Sequence, residues 1–99
     1  MQVMTVLEAE VAAERVGALE TAYRDAITQL DAGIERTFLA RDAKNPHIWR
    51  IITLWANREA LVAMRQSGET PKGVLMFRAA GAEPALSVYD VVDSLAAQS

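Results

Sequence analysis

Ile48-Trp49-Arg50-Ile51-Ile52-Thr53-Leu54-Trp55 is the stretch that decides how this chain folds. Alternate residues of a strand point to opposite faces. Trp49, Ile51, Thr53 and Trp55 therefore share one side, and Ile48, Arg50, Ile52 and Leu54 share the other. A strand wet on one face alternates cleanly between apolar and polar residues. This one is mostly apolar on both.

Working outward, Asp42-Ala43-Lys44-Asn45-Pro46 just upstream carries turn chemistry. Ile34 to Arg41 alternates before it, so an antiparallel hairpin joins that strand to the one running from about His47 to Trp55. Downstream, Asn57 suits a helix N-cap, its side chain accepting from a backbone N–H of the first turn. That helix spans about Arg58 to Ser67 and stops at Gly68. Thr70-Pro71 restarts a helix, with Thr70 as cap and proline at the first helical position, and Gly81 ends it. Pro84 forbids continuation, and Ala85 to Val92 reads as the last strand.

At the front, Gln2 to about Glu10 alternates, with Val3, Thr5, Leu7 and Ala9 against Met4, Val6, Glu8 and Glu10. The period then changes. Val16, Leu19, Tyr23, Ile27 and Leu30 recur at three- and four-residue steps, which predicts an amphipathic helix from about Ala13 to Leu30. Asp31-Ala32-Gly33 ends it, with Gly33 supplying the left-handed exit. The chain thus reads as one α+β domain over residues 1–99, with an ordered core of about 2–93 and a frayed tail from Ser94 to Ser99.

The order β-α-β-β-α-β, with its second helical region split in two, is that of a ferredoxin-like sandwich on an antiparallel four-stranded sheet. Helices on such a fold shield one sheet face. The other face measures roughly 19 Å by 20 Å in projection, about 400 Å². Leaving that much mostly apolar area in water strains what monomers tolerate. A two-fold homodimer, sheet against sheet, removes the difficulty.

Composition narrows the function classes. The net charge of −3 has both signs interspersed, and no basic patch is visible, so no nucleic-acid partner is expected. The absence of cysteine excludes disulfides, thiolate catalysis and cysteine-based metal sites. No run approaches the ~18 apolar residues needed to cross a bilayer, and no secretory signal opens the chain. The expectation is a cytoplasmic protein without a membrane partner.

Few residues carry chemistry. His47, the only histidine, begins a strand beside a turn; one histidine makes a poor metal site, and none is expected. Glu8 and Glu10, two apart on one strand face, are a candidate carboxylate pair or simply a charged strand end. Trp49, Trp55 and Tyr89 are candidates for a flat apolar cavity suited to an aromatic ligand, with Arg50 or Tyr89 polarising an oxygen on it. Met64, Met76 and Phe77 would form its helical wall. The same side chains equally serve as core in a domain this small. No catalytic residue is assigned.

Trp55-Ala56-Asn57-Arg58-Glu59-Ala60-Leu61 resembles a pattern of the antibiotic biosynthesis monooxygenase (ABM) family, of the dimeric α/β-barrel superfamily. It places a tryptophan at the end of an apolar third strand, then a polar break, then a Glu-Ala-Leu helix start. The similarity extends over about Val3 to Val92 through element order, spacing and the Asn-Pro hairpin. It implies a ferredoxin-like fold, a homodimer whose sheets form a barrel, and a pocket between sheet and helices. It further implies monooxygenation of a small phenol- or quinol-like substrate without metal, flavin or other cofactor. Trp55 is the one position carried across. Haem degradation is disfavoured, because the first strand has no asparagine and the helices from Arg58 to Ala80 hold neither Trp nor His. The alternative is a non-catalytic homodimer of the same fold that binds a small hydrophobic molecule or serves in assembly.

Overall fold

Residues 1–95 are described by the computed structural model. Four strands form one antiparallel sheet: β1 (Val3–Glu10), β2 (Ile34–Arg41), β3 (Ile48–Trp55) and β4 (Ala85–Asp90), in spatial order β2-β3-β1-β4. A 3₁₀ turn (Ala13–Arg15) leads into α1 (Val16–Ala26), while α2 (Arg58–Gln66) and α3 (Lys72–Ala79) make up the split crossover between β3 and β4. This is the α+β ferredoxin-like fold that the periodicities predict.

The local chemistry accounts for most boundaries. Asp42 Oδ2 accepts from the backbone N–H of Lys44 and of Asn45, tightening the β2–β3 turn. Asn57 Oδ1 accepts from Ala60 N–H at 2.9 Å and caps α2. Gly33 adopts φ +89° between α1 and β2, and a Cβ there would also collide with that of Ala60. Both constraints require glycine.

Three boundaries differ from the sequence reading. α1 ends at Ala26 although apolar spacing continues to Leu30. The backbone N–H groups of Thr28 and Gln29 reach only three residues back, to Asp25 and Ala26, and the Thr28 hydroxyl donates to the Asp25 carbonyl at 2.7 Å. That local bond competes with the helical ladder. α3 begins at Lys72, so Pro71 stands at the cap and Thr70 before it. β4 stops at Asp90, although the Val91 N–H still donates to the Gln2 carbonyl at 2.9 Å. Of the tail expected to fray, residues 96–99 lie outside the described residues.

All helices lie on one face. There Leu19, Ile51, Met76 and Phe77 form the larger buried cluster, and Val3, Trp55 and Leu61 a second. α3 approaches the sheet closely at Gly73, where a Cβ would stand 2.5 Å from Leu7 Cδ1. The opposite face carries Met4, Val6, Ile48, Ile52 and Leu54, all half-buried, together with exposed Phe38 and Tyr89. No described element covers it. Among the described residues, no helix is long and apolar enough to cross a membrane.

Candidate functional site

Register creates the site. Thr37 stands directly opposite Thr53, and Thr53 directly opposite Thr5. Three hydroxyl-bearing side chains thus cross β2, β3 and β1 in a row on the helix-covered face. They form the floor of a slot of about 90 Å³ between the sheet and the helices. Trp55, Leu61 and Met64 wall one side; Gly73, Val74 and Met76 of α3 form the roof.

Trp55 Nε1 donates to Thr5 Oγ1 at 3.1 Å, a buried bond spanning β3 and β1. Thr5 is 8% exposed, the only buried polar residue among the described ones. For the hydroxyl hydrogens of Thr5, Thr37 and Thr53 no protein acceptor occurs among the described residues. The ionisable residues lining the slot are Asp31, Arg65 and Lys72. Lys72 Nζ lies 2.7 Å from the Gln29 carbonyl, to which it donates, and 3.4 Å from Asp31 Oδ1. The same lysine also borders two outer grooves, one of about 540 Å³ beneath the α2–α3 connection. It therefore ties α3 to the α1–β2 turn where the slot meets solvent.

The seven residues expected at a pocket are distributed over three places. Trp55, Met64 and Met76 line the slot. Trp49 and Phe77 lie on the same sheet face but pack in the larger core cluster, Phe77 with no exposure at all. Trp49 Nε1 is buried without a hydrogen-bond partner among the described residues, and the Arg41 guanidinium sits 5.9 Å from its ring centroid. Arg50 and Tyr89 are on the opposite face, because strand alternation separates Arg50 from Trp49 and register sets Tyr89 against Met4. Neither reaches the slot. The threonine row went unremarked in the sequence, since three isolated threonines become neighbours only once register is known.

Arg50 organises a separate charged group on the uncovered face. Its Nε donates to Glu8 Oε1 at 2.6 Å and its terminal nitrogen to Asp42 Oδ1 at 2.8 Å. The Arg50 hydrogen bond, then the backbone N–H groups of Asn45 and Lys44, hold the Asp42 carboxyl below its ordinary value. Bonds to Asp42 and Glu8 raise Arg50 in turn. Glu8 is therefore tied to an arginine, its direct cross-strand partner, while Glu10 is exposed. His47 is exposed beside the turn, and among the described residues no three His, Asp or Glu side chains gather.

Comparison with solved structures returns the same fold. A conserved protein from Methanosarcina mazei Go1 superposes with TM-score 0.70 at 16% identity, covering 90% of this chain and 91% of that one. SnoaB, a cofactor-independent oxygenase from Streptomyces nogalater, gives 0.69 at 15% identity, with 95% and 96% covered. The Mycobacterium tuberculosis protein Rv0793 gives 0.71 at 17%, with 97% and 100% covered. A comparison with functionally curated proteins returned no match. The sequence profile described as "Antibiotic biosynthesis monooxygenase" matches residues 2–74, so this chain belongs to the antibiotic biosynthesis monooxygenase family.

Proposed function

We propose that this protein is a cofactor-independent, cytoplasmic monooxygenase of a small phenol- or quinol-like aromatic, working as a homodimer. The observation that carries the reading is the slot itself, walled by Trp55 and Met64 and floored by hydroxyls. An engineered cavity of about 150 Å³ holds benzene. The slot is smaller at about 90 Å³, but methionine side chains at positions 64 and 76 adapt readily, and it shares Asp31, Pro71 and Lys72 with the outer groove beside it. Family membership and the likeness to an oxygenase from Streptomyces nogalater support the same choice.

In the proposed reaction an ionised phenol supplies every electron. It reduces O₂, one oxygen atom forms the new ring carbonyl, and the other leaves as water, so that phenol plus O₂ gives quinone plus water. The chain's contribution is orientation and exclusion of solvent. Oxygen uptake with a panel of dihydroxy-aromatics, on protein stripped of metal, tests this. Wild type should exceed background, and Trp55→Ala should lose about tenfold or more; equal background rates for both would overturn it.

The homodimer reading rests on the uncovered face, where Ile52, Leu54, Val6 and Met4 form an apolar surface around the Arg50 ion pairs. Pairing two such faces would bury Phe38 and Tyr89.

A second reading, a non-catalytic homodimer that binds a hydrophobic small molecule, is favoured by one observation. The ionisable residues lining the slot number three, and none comes from the sheet that forms its floor. Saturable binding of an aromatic without oxygen consumption would select it.

A further inference from the structure

Resting on the reading of the slot as an aromatic site, we propose that the row Thr5–Thr53–Thr37 receives the ligand's ring oxygen as a hydrogen-bond acceptor. The row thereby selects the ionised phenolate over the neutral phenol, with Trp55 as the positioning residue. A threonine hydroxyl has one hydrogen and two lone pairs. At Thr5 one lone pair already accepts from Trp55 Nε1, at 3.1 Å. That bond turns the hydroxyl so that its hydrogen is left to donate, and Thr53 and Thr37 continue the row with two more hydrogens lacking protein acceptors among the described residues. A neutral phenol must give its own hydrogen to a lone pair of Thr53 or Thr37, which turns that hydroxyl from donating to the ring oxygen. A phenolate brings only acceptors.

The surroundings act in the same direction. The charged groups facing the slot are Asp31 from the α1–β2 turn, Arg65 from α2 and Lys72 from α3, with none from the strands. Lys72 lies 3.4 Å from Asp31, leaving the exposed Arg65 guanidinium as the uncompensated charge among the described residues that line the slot. Burial opposes ionisation, while hydrogen bonds to the charged form and a nearby cation favour it. Three donors and one cation outweigh the partial burial of a slot that opens on solvent.

The test uses the intact protein and 4-nitrophenol, whose ionised form absorbs visibly. Absorbance is followed against pH with the protein in excess, alongside binding of 4-nitroanisole, which cannot ionise. Expected is a fall of about one unit in the bound phenol's apparent pKa, a tenfold preference for the phenolate. Thr5→Val should reduce the shift the most, Thr5→Ser should restore it, and Trp55→Phe should leave a reduced shift. Thr53→Val, which leaves the Trp55 bond intact, should also reduce it and guards against misfolding of the first variant. Binding with an unchanged or raised pKa, or an unaltered shift in both valine variants, overturns this inference and leaves the aromatic-site reading standing. No binding of either compound overturns both.

Discussion

The two faces of this sheet are built from similar side chains but meet different surroundings. On the helix side Val3, Ile51 and Trp55 are 1%, 3% and 4% exposed. On the other, Phe38 and Tyr89 are 43% and 54% exposed, and their apolar neighbours are half-buried. Polar groups differ as well, the charged ones of the helix side, Arg41 and the Arg58–Asp90 pair, being exposed residues of its edge strands and of α2. The helix side holds neutral hydroxyls in a row, one paired to an indole, whereas the bare side holds a three-residue ion cluster around Arg50. Neutral hydroxyls suit a floor under helices, because charges there would carry a large desolvation cost. Charges flanked by water on a bare face cost little.

Removing a large side chain from each face sharpens the contrast. Phe77→Ala, on the helix side, should lose about 3–5 kcal/mol of stability in urea unfolding, with no dependence on protein concentration beyond that of wild type. On the bare face Ile52→Asp should act on association. A dimer through that face predicts a dissociation constant raised about a hundredfold, near 2.7 kcal/mol, read by sedimentation. A wild type that sediments as a monomer at high concentration would break the comparison.

The smallest effect expected is electrostatic. Because Arg50 and two backbone amides depress the Asp42 carboxyl, its contribution to stability is fully present above the unfolded value of about 3.9. It is lost as pH falls through the lower folded value. Asp42→Asn should therefore lower stability modestly at neutral pH, flatten the fall in stability below about pH 4, and change little once the pH lies below the folded value. Since the Asp42 side chain is 26% exposed, solvent screens the effect.

How much of this was legible beforehand differs between fold and site. Strand faces were readable because side-chain alternation is local, and the α2 cap at Asn57 and the exit at Gly33 are short-range chemistry. The end of α1 was not, since apolar spacing through Ile27 and Leu30 mimics a longer helix while a Thr28 hydroxyl bond stops the ladder. Trp55 and Met64, expected at a pocket from residue type and position, do line the slot. Tyr89 and Arg50 were grouped with them by chemistry alone, and the sheet separates them by its thickness.

Taken alone, the sequence determined which segments are strands and helices, where they turn, and which side chains share a strand face. Backbone sterics and local hydrogen bonds act over a few residues and leave their mark in the residue order. Tertiary structure alone decided that Thr37, Thr53 and Thr5 stand side by side and that the helices settle on the face of Trp49 and Trp55. Register and layer packing join residues far apart in the chain, such as Trp55 and Thr5 or Val3 and Asp90, and only the assembled sheet brings them within reach.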